Sequence, residues 1–445
     1  MGRWKPIKAL LGGLLLAAVC SGCASRSADD LYALPRQSDV YYDLQEAIDQ
    51  VMSIGSSYAG PLTGTNQQAV QLADLDGDGQ EEAIVFVRTT GEKPLKAYIF
   101  DRNGDTYENT AVIEGDGSEF DAVEYVQLDG APGMEILVGR RLSDQILQSL
   151  GAYSYSEGRL VELMAANYSE FKVVELDGDD HKDVFVLRQE ANERAGVAEV
   201  YRYRDGRMER DQEASLSVGA KQIKRILHGY VAQGIPAVFV ASSYEEGTII
   251  TDIFAYVGQN FRNIAANTES GLSAQTIRSY NVYAEDIDED GVIELPMPVV
   301  LPNATAGEET YWTIDWYNLA PDGEKKVKMT TYHNYSGGWY LVLPDSWHDQ
   351  LSVSRGNEIS GVQGYTFSKW NGYGQAAEEI VTIYGFTGDD RLTLAQADGR
   401  FLLAEKGEIA YAASLGTCSL AQDLTQDDLS AMFRFIYLDW NSGET

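Results

Sequence analysis

Leu72-Ala-Asp-Leu-Asp-Gly-Asp-Gly-Gln-Glu-Glu-Ala-Ile-Val-Phe-Val87 is the stretch from which the fold can be read. Asp74, Asp76 and Asp78 alternate, Gly77 and Gly79 allow a tight turn, and Glu82 stands at the ninth position counted from Asp74. Several hard oxygen donors thus converge on one point, the ligand chemistry that calcium requires. The apolar run Ala83 to Val87 follows at once and reads as a buried strand.

Working outward, weaker copies of this loop-and-strand unit recur every 50 to 60 residues or so, as far as about residue 335. The strands are expected at Ala83 to Val87, Glu135 to Gly139, Val184 to Arg188, Ala237 to Ala241 and Glu294 to Leu301. About 25 residues after each loop comes an aromatic segment with a Gly turn, as in Tyr98…Asn103-Gly104, Tyr153…Glu157-Gly158 and Tyr201…Asp205-Gly206. Phe254…Gly258 and Trp312…Asp322-Gly323 continue the series. A loop-strand, a hairpin and one further strand make a four-stranded antiparallel sheet. Five such sheets in series predict a mainly β chain, an irregular β-propeller of about five blades. Pro296 and Pro298 fall inside the fifth strand and mark that unit as irregular or terminal.

The acidic loops resemble those of integrin-type FG-GAP and VCBS repeats, in the pattern D-x-D-G-D-G-x-x-D/E leading into a strand. The resemblance covers about residues 70 to 300. It implies side-chain ligands Asp74, Asp76, Asp78 and Glu82 with the Gln80 carbonyl in the first copy. In the third copy it implies Glu175, Asp177, Asp179 and Asp183 with His181 in the carbonyl position. In the fifth it implies Asp286, Asp288, Asp290 and Glu294 with the Val292 carbonyl. The second copy keeps only Asp129 and Glu135, and the fourth, around Gly229 to Pro236, has no acid. Calcium is therefore expected at three loops, and plain turns at two. An EF-hand fails on spacing, because its bidentate twelfth position would fall on Val85 or Met297.

The first 22 residues read as a lipoprotein signal peptide: Arg3, Lys5 and Lys8, an apolar run from Ala9 to Val19, then Cys20-Ser21-Gly22-Cys23. The apolar run, about 11 residues, is too short to cross a bilayer as a helix. The junction resembles a bacterial lipobox, with Cys23 as the lipid attachment site and residues 23 to 38 as a tether. Residues 39 to 335 hold an N-terminal helix, expected from Tyr41 to Ile54, and the propeller repeats. Residues 336 to 445 are expected to form a C-terminal α+β domain, ending in a helix capped by Thr425 and Asp428 that runs on to Trp440. Cys418 is then the one free thiol, expected as a small buried residue.

The chain has 34 Lys+Arg against 68 Asp+Glu, a net charge of −34. So acidic a surface would repel nucleic acid and anionic membrane surfaces, which leaves the lipid on Cys23 as the membrane attachment. No H-E-x-x-H, G-x-S-x-G or Gly-rich phosphate loop occurs. His181, His228, His333 and His348 lack zinc spacing, although His333 and His348 have Asp345 and Asp349 nearby in sequence. Trp316, Trp370 and Tyr373 are candidates for a sugar-stacking platform, with a core role as the alternative. The expected function is an extracytoplasmic, lipid-anchored binding, adhesion or envelope-scaffold protein with an envelope protein or glycan as partner. The alternative is a polysaccharide- or peptidoglycan-acting hydrolase.

Overall fold

The computed structural model describes residues 39–436 apart from 53, 105, 143–147, 180, 190–194, 233, 280, 304–308 and 357–361. Cys23, the tether and Trp440 lie outside the described residues.

Six antiparallel sheets follow one another along the chain. In the first, Val70–Ala73 and Ser57–Tyr58 both pair with Glu82–Arg88, which continues to Leu95–Asn103 and Thr106–Gly115. The second runs Glu119–Val126, Glu135–Arg141, Gln148–Ser156, Arg159–Tyr168, and the third Glu170–Val174, Asp183–Gln189, Gly196–Arg204, Arg207–Ser215. The fourth is Ile223–Ala232, Ile235–Ser243, Ile249–Val257 and Asn260–Asn263. Each expected strand is thus the second strand of its sheet, except Leu295–Val300, which opens the fifth. That strand lies at a sheet edge, beside Trp312–Leu319, which is why Pro296 and Pro298 are tolerated there.

The fifth sheet continues through Lys325–Asn334 and Trp339–Leu343 to Phe433–Phe435. A boundary at residue 336 therefore falls between two paired strands. The sixth sheet, Leu351–Gly356, Gln363–Lys369, Glu378–Phe386, Ile409–Leu415 and Phe401–Lys406, lies entirely in the region expected to be a separate α+β domain. The C-terminal helix is shorter than its periodicity predicts. Its capping box on Thr425 and Asp428 is present, but the helix ends at Met432. Phe433 turns extended, with its ring 5.6 Å from that of Trp339, and Phe433–Phe435 joins the fifth sheet alongside Trp339–Leu341. Strand pairing and aromatic burial override the helical period there.

The second strands are apolar on both sides because both sides are covered: Ala83, Ile84, Val85, Phe86 and Val87 are wholly buried. Ile84 and Phe86 pack with Phe120 and Val138 of the second sheet, the Phe86 and Phe120 rings meeting edge to face at 5.0 Å. Leu137 and Leu150 meet Val184 and Val186 of the third sheet. Phe185 and Leu187 meet Val238 and Phe254 of the fourth, and Phe239 and Ile253 meet Leu295 and Tyr317 of the fifth. Tyr332 and Trp339 meet Phe367 and Val381 of the sixth. The two outer faces of this series carry helices. Helix α1, Asp39–Val51, lays Leu44, Ala47 and Ile48 on Ala83, Val85 and Val87. Helix α2, Arg391–Ala395, places Ala395 with Tyr384, Phe386 and Ala412 of the sixth sheet. Among the described residues no apolar cluster joins the first sheet to the sixth.

The expected hairpin turns form. Glu157-Gly158 and Asp205-Gly206 both take positive φ at each central residue (49° and 74°; 47° and 86°), the geometry that matches the twist of the flanking strands. Trp316 is buried, its indole donating to Thr331 Oγ1 at 2.8 Å, so it is a core residue and offers no platform. Tyr373 is exposed and Cys418 is buried.

Candidate metal-binding loops

The three acid-rich loops close by similar local bonds, and in each the fifth-position Asp accepts the N–H two residues on. In the first, the Asp74 carboxylate accepts the Gly77 and Gly79 N–H groups at 2.7 and 3.1 Å, and Asp78 accepts that of Gln80 at 2.7 Å. In the third, Glu175 accepts from Gly178, and Asp179 accepts the His181 N–H at 2.9 Å. In the fifth, Asp286 accepts from Asp290 and Gly291, and Asp290 from Val292 at 2.9 Å. These Asx-type turns point the three leading acids of each loop inward. Ligand atoms of Asp74, Asp76 and Asp78 lie within 4.8 Å of one another, as do those of Glu175, Asp177 and Asp179 and those of Asp286, Asp288 and Asp290.

The ninth-position acid has a structural task of its own. Glu82, Glu135, Asp183 and Glu294 are all buried, and each accepts the N–H of the residue after the loop's first position. The distances are 2.7 Å from Leu75, 2.6 Å from Leu128, 3.2 Å from Leu176 and 3.1 Å from Ile287. Those four donors are themselves buried apolar residues, so the loop is pinned by a hydrophobic plug whose N–H bonds to a carboxylate at the head of the next strand. Burial, reinforced by the neighbouring loop carboxylates, pushes Glu82, Asp183 and Glu294 up to about 7 and also raises Glu135. A bound cation would favour the charged forms.

The loops differ in what faces them from the sheet. Ala83 pairs with Phe100, Ile136 with Tyr153, Val184 with Tyr201 and Leu295 with Tyr317. The next residue along the partner strand is therefore Asp101, Ser154, Arg202 or Asn318 at equivalent register. Asp101 adds a further carboxylate whose charge, after burial, helps to raise Asp76 and Glu82. Arg202 instead pairs with Asp177, with Asp179 at 3.2 Å and with Asp183 at 3.5 Å. Asn318 donates to Glu294 at 3.0 Å, and Lys328 from the adjoining strand pairs with Asp288 at 3.3 Å and Asp290 at 2.7 Å. Among the described residues no Lys or Arg pairs with Asp74, Asp76, Asp78 or Glu82. The first loop, all oxygen and uncompensated, is the best fit to a hard divalent cation. Asp101, Arg202 and Lys328 carry no local motif and were not legible as site residues.

The four loops and the first strand of the fourth sheet form one row. Gly77 is packed against loop two, where an added Cβ would meet Pro132 at 2.4 Å, and Met134 N–H bonds to Asp74 O at 3.1 Å. A Cβ on Gly130 of loop two would come within 3.2 Å of His181 Nε2 in loop three. The His228 side chain reaches the backbone of Glu175, and Ile293 N–H bonds to Tyr230 O at 2.8 Å. Loops one, two, three and five thus lie in one row, with the strand Ile223–Ala232 of the fourth sheet between loops three and five; the loop expected around Gly229 to Pro236 is instead a tight turn between Ile223–Ala232 and Ile235–Ser243.

The remaining histidines belong to no acidic loop, although the rings against His333, Trp316 and Tyr340, pack with Ile287 of loop five. His333 is buried beside Trp316, Tyr335 and Tyr340, and burial pushes it down to about 3. His348 sits 3.5 Å from Asp315 and 3.3 Å from Asp349; burial opposes its charge, but the two carboxylates outweigh this and raise it. A groove of about 1010 Å³ opens beside loop five, with Asp288, Glu289, Asp423 and Asp428 among its lining. Asp288 is held by Lys328 and Asp428 by the helix cap.

No protein-family model matches the chain, and no curated protein matches it. Solved structures do match, among them a protein from Lactobacillus plantarum that is 10% identical, with a TM-score of 0.24 over 73% of this chain and 86% of that one.

Proposed function

We propose that this chain is a lipid-anchored, extracytoplasmic binding protein, adhesive or scaffolding, whose sheets are blades of a propeller-type stack tied by calcium at acidic loops. The observation that carries the reading is the single row of loops along one edge of consecutive sheets. A rigid stack that presents adjacent loops in a line suits recognition of an extended macromolecular partner, an envelope protein or a glycan. The blade reading draws on the sheet-to-sheet apolar clusters, each burying one face of a sheet against the next. The calcium reading draws on the oxygen-only first loop. Lipid on Cys23 would hold the row at a membrane surface, and the net charge of −34 disfavours nucleic acid.

The test is a photo-crosslinking residue at exposed Gln80, used in whole cells with and without chelator. The reading expects crosslinks to a macromolecular envelope component that weaken on calcium removal. Crosslinks to cytoplasmic proteins only would contradict it. Hydrolysis of polysaccharide or peptidoglycan is the second reading and draws on the carboxylate-lined groove at loop five. Turnover of a glycan by the purified chain, abolished by Asp423→Asn, would put it first.

A further inference from the structure

Three loops of nearly the same sequence meet three different neighbours, and the difference is one of charge. At the register position beside the first loop stands Asp101; at the same position beside the third stands Arg202, and beside the fifth Asn318, with Lys328 one strand further. Arg202 is not a surface side chain that happens to lie near acids. Its side chain is 18% exposed, three of its nitrogens reach Asp177, Asp179, Asp183 and Asp211, and the guanidinium lies 5.8 Å from the centre of the Tyr256 ring. Tyr256 in turn donates to Asp211 at 2.6 Å. Lys328 is a point charge on a flexible stem, 29% exposed, reaching two loop acids.

We propose that Arg202 and Lys328 are tethered counter-ions that take the divalent cation's place in the third and fifth loops, leaving only the first open to a free ion. The inference rests on the reading of these loops as cation sites, and it changes their number. A guanidinium fork engages several carboxylates at once and is more weakly hydrated than an ammonium, so its placement among acids is favoured. Being part of the chain, it enters without the translational cost that a free ion bears. To load loop three, calcium would have to expel a cation boxed by four carboxylates and an aromatic ring. Expelling Lys328 from loop five is easier, because an ammonium can swing into water on its own stem. The expected order of closure is therefore loop three, then loop five, with loop one open. The row of loops then carries one exchangeable ion at its first-sheet end and fixed charge pairs further along.

The experiment is calorimetric titration with calcium chloride of the full chain, stripped of metal, as wild type and as Arg202→Gln, Lys328→Gln, the double variant and Asp76→Ala. Expected stoichiometries are one for wild type, two for each single basic variant, three for the double variant and none for Asp76→Ala. In chelator, Arg202→Gln should melt lower than wild type and regain the loss on adding calcium. Three sites in wild type, unchanged in the basic variants, would overturn the inference and leave the calcium reading intact. No site in any variant, with all folded by circular dichroism, would overturn the calcium reading itself. No site in wild type but one gained in each basic variant would uphold the counter-ions and remove the first loop. If Arg202→Gln does not fold, Arg202→Lys and Lys328→Gln carry the test: Lys328→Gln should gain one site over wild type and Arg202→Lys none, and any other difference overturns the proposal.

Discussion

Glu135 separates the two tasks that the ninth-position acid performs in this chain. Its loop has lost the other acids except Asp129, so it offers a cation far fewer oxygen donors than the first loop, yet its carboxylate is buried and accepts the Leu128 N–H at 2.6 Å. If the acid is there for the backbone, Glu135→Leu should leave a buried donor unsatisfied, a cost of about 1–3 kcal/mol. Glu135→Gln keeps an acceptor oxygen and removes a charge that burial disfavours, so its effect should be smaller than about 1 kcal/mol. The assay is urea unfolding in excess chelator, so that no ion contributes at any loop. The ordering Glu135→Leu well below Glu135→Gln, with Gln near wild type, is the expected result. Equal stability of the Leu variant and wild type would refute the claim that these acids pin the loop to the strand.

Other consequences can be measured directly. Because Glu82, Asp183 and Glu294 titrate at about 7 in the folded chain and near 4 when unfolded, the metal-free protein keeps their protons while the unfolded chain gives them up. Their contribution is thus present at pH 4 and lost as pH rises through 7, at most roughly 4 kcal/mol per group, and the stabilisation by calcium at the first loop, where Glu82 must give up its proton, should grow over the same window. Melting curves from pH 5 to 8, with and without calcium, check the sign; a calcium effect that shrinks with rising pH would be the wrong one. Phe433→Ala removes a ring stacked on Trp339 and buried between the fifth and sixth sheets, and should cost about 3–5 kcal/mol in denaturant unfolding. A loss under 1 kcal/mol would mean the final strand is not part of the cooperative unit. Cys23→Ala should move the protein from the membrane fraction to the soluble one; an unmodified Cys23 at the mature N-terminus, by intact mass, would contradict the anchor.

Much of this architecture was legible because local chemistry and tertiary need coincide. The Asp-Gly alternation must turn, the five apolar residues after it must be buried on both sides, and Asp205-Gly206 or Glu157-Gly158 must close a hairpin. The buried plug was also visible in principle, since Leu75, Leu128, Leu176 and Ile287 stand at the same place in each copy. What was not legible depends on contacts across sheets. Asp101 and Arg202 each lie about 20 residues beyond the loop they face, and only the strand register brings them there. The sixth sheet has no acidic loop to announce it, so its strands read as part of a separate domain. At Phe433–Phe435 the spacing of Leu429, Met432, Phe433 and Ile436 fits a helix face, and only the open edge at Trp339–Leu341 draws the segment into a strand.

Hydrogen–deuterium exchange of the full chain, with calcium and with chelator, addresses the central claim most directly. Calcium addition should slow exchange in the peptide spanning Asp74 to Glu82, where Gly77, Gly79 and Gln80 N–H groups bond to loop carboxylates. Little change is expected at Gly229 to Pro236, the acid-free strand ends and turn of the fourth sheet. Exchange at Asp74 to Glu82 that is identical with calcium and with chelator would contradict a calcium-tied row of loops.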